Sequence, residues 1–108
     1  MQLSQADITQ QNKQQYLLSG TVDFSTVPIL MRQASGIIAG VASSDNKPIS
    51  IDLSQVDGCN SAALALMLEI VKSAQQRKVE LHFKNLPAAL LTIAKAYGVE
   101  NEIREISK

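Results

Sequence analysis

Cysteine occurs once in this chain, at Cys59, and tryptophan does not occur at all. A single thiol excludes an internal disulfide, so nothing here calls for an oxidising compartment. Aromatics are sparse. Tyr16, Phe24, Phe83 and Tyr97 are too scattered to form a base-stacking platform. Neither sign of charge is in excess, because ten basic residues balance ten acidic ones. Without a basic field, capture of nucleic acid or of an anionic membrane surface is disfavoured. No apolar run reaches the roughly 18 residues that a membrane span needs. Residues 1–15 are polar and glutamine-rich, unlike a secretory leader. The expected setting is the cytoplasm, and a net charge of zero favours life in a complex.

What is present is a core. Hydrophobic residues make up 45% of 108 positions, which suits a single domain over 1–108 and argues against global disorder. The pattern alternates between the two periodicities. Residues 1–13 suggest a short edge strand or a loosely ordered start. Residues 14–20 read as a strand with Tyr16 and Leu18 on one face. Ser25 is placed to cap a helix, with Pro28 in its first turn. Val27, Leu30, Ala34, Ile37 and Val41 then recur at helical steps. A polar loop over 43–48 follows. Ile49, Ile51 and Leu53 alternate with Ser50, Asp52 and Ser54 in a second strand. Residues 61–77 form the best helix, with Ala63, Leu64, Met67, Ile70, Val71 and Ala74 as its core face. Val79, Leu81 and Phe83 alternate in a third strand. A third helix starts near Pro87 and stops at Gly98, and weak alternation over 99–108 predicts a final edge strand. Strands separated by helices imply an α/β fold with parallel pairs.

The informative junction is the turn Asp57-Gly58-Cys59-Asn60-Ser61, between the second strand and the best helix. It puts the Ser61 hydroxyl at a helix start. There it can cap free N–H groups, or serve as a contact or phosphorylation point where the helix dipole favours negative charge. Ala62, Ala65 and Leu66 fall on or beside the polar side of that helix. They are expected to leave a flat, partly apolar patch next to Ser61. Asp52 admits two placements, bonded to the 57–61 turn or exposed on the strand's other face. No partner acid, base or metal ligand stands at a recognisable spacing from it. His82 alternates outward with Glu80 and Lys84 and lacks companion ligands. Cys59 reads as a small packed hydrophobe. No phosphate-cradling loop occurs, and nothing points to an enzyme.

Asp52-Leu53-Ser54-x-Val56, then Asn60-Ser61-x-x-Leu64-x-Leu66, resembles the central signature of STAS domains, the fold of bacterial anti-sigma-factor antagonists. Leu18-Ser19-Gly20-x-x-Asp23 resembles their early strand-to-loop motif, and the likeness runs from about Tyr16 onward. Within the family the chain is most similar to the MlaB branch, small cytoplasmic subunits of the Mla phospholipid transporter of Gram-negative bacteria. Ala62-Ala63 resembles the glycine pair of that branch, and residues 92–99 resemble its third helix.

The resemblance implies a mixed sheet of four or five strands with helices packed on it. It also implies a non-catalytic subunit without cofactor or metal, held on the inner membrane through its partners. Those partners would be an MlaF-like ABC ATPase and its membrane permease, in a transporter that maintains outer-membrane lipid asymmetry. Ser61, the counterpart of a functionally important threonine, would bind the partner together with Asn60, Ala62, Ala65 and Leu66. The alternative the family offers is a phospho-regulated antagonist of a serine-kinase anti-sigma factor, with Ser61 as phosphoacceptor. Regulated antagonists carry an acidic residue before the hydroxyl and a second hydroxyl after it. Asn60-Ser61-Ala62-Ala63 has neither, which argues against a kinase switch and leaves docking intact.

Overall fold

The period-two segments become four strands: β1 (Ala6–Gln10), β2 (Gln15–Val22), β3 (Ile49–Cys59) and β4 (Leu81–Lys84). The helical segments become α1 (Val27–Ala42), α2 (Ser61–Gln76), α3 (Ala88–Ala96) and a short α4 (Glu100–Glu105). The computed structural model describes residues 6–42 and 48–107. The polar-loop expectation for 43–47 and the first five residues lie outside that range.

The sheet order is β1-β2-β3-β4, with β1 antiparallel to β2 and the two later pairs parallel. Crossovers between neighbouring parallel strands are right-handed, so both set their helices on one face. There α1 and α2 pack against each other. Ile8, Leu18, Ile49, Ile51 and Phe83 point into this helical layer and are buried. They meet Leu30, Ala34 and Ile38 of α1 and Leu66, Met67 and Ile70 of α2 in one continuous core. Leu64 is buried as the pattern predicts, whereas Val71 is only partly covered. The alternate positions Thr9, Ser19, Ser50, Asp52 and Lys84 form the polar face.

Both sheet edges are blunted, as exposed edges need to be. On the β1 side the Ile8 N–H donates to the Gln33 side chain of α1 at 3.0 Å. On the β4 side the Phe83 N–H donates to the Ile106 carbonyl at 2.9 Å. That second contact corrects the expected final strand over 99–108. The segment folds as α4 because Val99, Ile103 and Ile106 recur at helical spacing, with Ile103 fully buried. Glu100 and Arg104, four residues apart, pair at 2.8 Å on the outer side.

Helix ends follow local chemistry. Gly98 adopts φ 73 after α3, and the Val99 N–H reaches back to the Ala94 carbonyl at 2.9 Å. Lys78 takes the same left-handed role after α2, at φ 58. At the start of α1 the residue before Val27 is Thr26, not the expected cap Ser25. The Thr26 hydroxyl accepts from the Asp23 N–H at 3.0 Å and lies 2.9 Å from the Thr21 carbonyl, to which it donates.

Candidate functional site

Parallel strands deliver their loops to a single edge, so the turns after β2 and β3 stand side by side. The Asn60 N–H donates to the Val22 carbonyl at 3.3 Å and ties one turn to the other. The second turn is shorter than the sequence suggests. Residues 57–59 belong to β3, and only Asn60 separates the strand from α2. The reason lies in the pairing. β3 shifts register against β2 twice, between Leu17 and Ser19 and between Gly20 and Thr21. Each shift gives β3 one extra residue, as a bulge does. The first is stabilised by Asp52, whose carboxylate accepts the Ser54 N–H at 2.7 Å and the Asn85 amide at 3.1 Å. Asp52 therefore bonds within its own strand and to the β4–α3 loop, not to residues 57–61. The second shift sets Asp57 outside the ladder, where its carboxylate accepts the Thr21 hydroxyl at 2.8 Å.

Capping of α2 falls to Asn60. Its backbone is extended, and its side-chain oxygen accepts the Ala62 N–H at 2.8 Å. Its own carbonyl accepts the Ala63 N–H at 2.9 Å. Ser61 is thus relieved of capping. It stands half-exposed at the first helical position, and among the described residues its hydroxyl takes no hydrogen bond.

The neighbours expected to share its surface divide. Ala65 is exposed, and Leu68 one turn on is partly exposed. Ala62 and Leu66 are each only 2% exposed, which corrects their placement on an open patch. The cause is that α2 is packed by α1, α3 and β4 at once, so its buried arc is wider than an amphipathic stripe. The accessible line from the helix start is therefore Ser61, Ala65, Leu68 and Lys72.

Sequence reasoning missed Phe24. It stands in the turn after β2, two residues beyond Val22, whose carbonyl accepts the Asn60 N–H, and is 72% exposed. The signal was available: an aromatic between Asp23 and Ser25, in a turn, cannot reach either face of a strand or helix. The turn below it is fixed. The Asp23 carboxylate accepts from the Ser25 hydroxyl at 2.7 Å, the Ser25 N–H at 2.9 Å and the Thr26 N–H at 3.1 Å. The Ser25 hydroxyl leads the causes that hold this carboxyl below its ordinary value; slight burial opposes them and loses.

The remaining candidates do not form a reaction centre. Burial pushes the Cys59 thiol up, away from thiolate chemistry. Burial also raises Asp52, but the Ser54 and Asn85 hydrogen bonds and the Lys84 charge outweigh it and leave the carboxyl below its usual range. His82 meets Glu80 at 2.9 Å across its Nε2, while its Nδ1 is buried without a partner among the described residues. Among the described residues no three His, Cys, Asp or Glu side chains converge to hold a metal. No helix there is long and apolar enough to cross a membrane. An open groove of about 1000 Å³ lies between the β1–β2 hairpin and α1, lined by Ile8, Tyr16, Gly36 and Gly40. It is at the opposite end of the strands from Ser61. What the Ser61 end can do chemically is dock: it offers a hydroxyl, small side chains and exposed apolar groups on a rigid base.

Known proteins give the same fold and a family. The model of the MlaB STAS domain family matches residues 8–105. A chain of the Acinetobacter MlaFEDB complex in its ATP-bound Vtrans2 conformation is 29% identical, with a TM-score of 0.68. The match covers 83% of this chain and 90% of that one. The anti-sigma factor antagonist SpoIIAA in its unphosphorylated form superposes with a TM-score of 0.65 at 11% identity, over 89% of this chain and 83% of that one. The phosphorylated form of the Bacillus cell fate determinant SpoIIAA gives 0.62 at 12% identity, over 89% and 86%. These two matches speak to the fold alone. No curated protein matches the sequence significantly.

Proposed function

This chain belongs to the MlaB family of STAS domains, and from that membership we propose that it is a non-catalytic subunit of a phospholipid-moving ABC transporter. It binds the ATPase subunit through the Ser61 end of α2 and supports ATP hydrolysis there. The transporter acts in keeping outer-membrane lipid asymmetry, and the chain sits on the cytoplasmic side of the inner membrane through the ATPase and its permease. The observation that carries this reading is the match to a chain of an MlaFEDB complex, which extends over 90% of that chain.

The site favours docking over a kinase switch. Asn60 stands where regulated antagonists carry an acid, and its side chain is committed to the helix cap. Ser61 hydrogen-bonds across the interface, and Asn60 and Ala65 let the partner approach the helix start closely. Ala62 and Leu66 contribute from below, by setting the shape of that start. Leu68 extends the contact.

The test is ATP hydrolysis by the purified transporter with and without this subunit. Removing the chain is expected to lower turnover several-fold, and adding it back restores turnover. Unchanged hydrolysis in its absence contradicts the proposal.

A further inference from the structure

We propose that Phe24 is the aromatic anchor of this docking face, seated in an apolar pocket of the ATPase subunit that is rimmed by basic side chains. This rests on the Ser61 end being the ATPase-binding surface.

Among the described residues, Phe24, Ile29, Leu68 and Tyr97 are the exposed large hydrophobic side chains, and Phe24 is the most exposed of them. Tyr97 closes α3. The other three lie in the turn after β2, in the first turn of α1 and midway along α2; the turn of Phe24 is tied to the α2 start by the Asn60 N–H on the Val22 carbonyl, and Leu68 continues the Ser61 line. Phe24 belongs neither to the core cluster nor to the residues packed against it. The fold therefore derives nothing from the ring.

An aromatic ring has only two side-chain torsions to immobilise, so it orders at low entropic cost. Its backbone is already ordered by the three hydrogen bonds to the Asp23 carboxylate, which removes most of the remaining cost of binding. Aromatic side chains in that condition, near the centre of a contact, are the common binding hot spots.

Charge fixes the chemistry of the partner. Residues 21–31 and 53–71 contain no lysine or arginine, and their charged residues are Asp23, Asp57 and Glu69. The nearest cations are Arg32 and Lys72, each just beyond these segments with Lys72 at the far end of the Ser61 line, and Lys84 beside Asp52. Asp57 is exposed beside Thr21. A surface that is apolar at its centre and anionic at its rim pairs with an apolar pocket bordered by Arg or Lys.

The experiment measures the affinity of the full-length chain for the purified ATPase subunit. It compares wild type, Phe24→Ala, Phe24→Leu and Ala65→Arg, with circular dichroism melts on each. Phe24→Ala is expected to weaken binding at least ten-fold with an unchanged melt, and Phe24→Leu to retain most of the affinity. Raising salt should slow wild-type association. If Phe24→Ala binds within two-fold of wild type while Ala65→Arg does not bind, the anchor is refuted and the docking face stands. If both variants bind normally, the docking face itself is refuted and the anchor falls with it.

Discussion

An Ala65→Arg protein is expected to fold as wild type does and to lose its grip on the ATPase by thirty-fold or more, about 2 kcal/mol. Ala65 is exposed one turn beyond Ser61, on the line where a partner must come close to the helix. An arginine there costs the free protein nothing, because its head stays in water. In the complex it holds the surfaces apart and puts a cation against a partner surface expected to be basic. The position matters more than the residue type. Ala62, three residues earlier, is 2% exposed, so an arginine at 62 disrupts packing and reports on the fold instead of the interface. Calorimetric titration of Ala65→Arg against the ATPase, beside a thermal melt, checks the prediction. Binding within three-fold of wild type contradicts it.

The second large effect lies in the core. Phe83→Ala is expected to cost about 3–5 kcal/mol. Phe83 is wholly buried, pairs with Ile51 across the parallel β3–β4 ladder, and gives its N–H to Ile106 of the C-terminal segment. Losing the ring empties the place where β4, the helical layer and the chain's end meet. Small domains are stable by only about 5–15 kcal/mol in total. The variant should therefore melt more than about 10 °C below wild type and unfold at distinctly lower urea concentration. A loss under 1 kcal/mol would mean that β4 does not seal the core in this way.

Much of this architecture is written in local pattern. Strands β2, β3 and β4 and the first three helices follow the period of their apolar residues, and α2 starts at Ser61, where the strand-to-helix junction places it. Gly98 ends α3 as a left-handed glycine should. The departures have physical causes that a single sequence conceals. A helix packed on three sides buries more than one stripe, so Ala62 and Leu66 went inward. A bulge depends on the partner strand, so β3 ran on to Cys59 through two register shifts that alternation in one strand does not reveal. Spacings of four and three at Val99, Ile103 and Ile106 favour a helix, but in so short a segment they also pass for weak alternation. At the site, Ser61 was legible because a hydroxyl at a helix start is a chemical signal. Phe24 carried a weaker signal, an aromatic in a turn, and only the fold shows that its ring stays outside the core.

The measurement that bears most directly on the central claim is affinity purification of the tagged full-length chain from its native cell, with the bound proteins identified by mass spectrometry. Recovery of an ABC ATPase together with its membrane permease is the predicted result. Recovery of a serine kinase of the anti-sigma type, without those proteins, would contradict it and make Ser61 a phosphoacceptor.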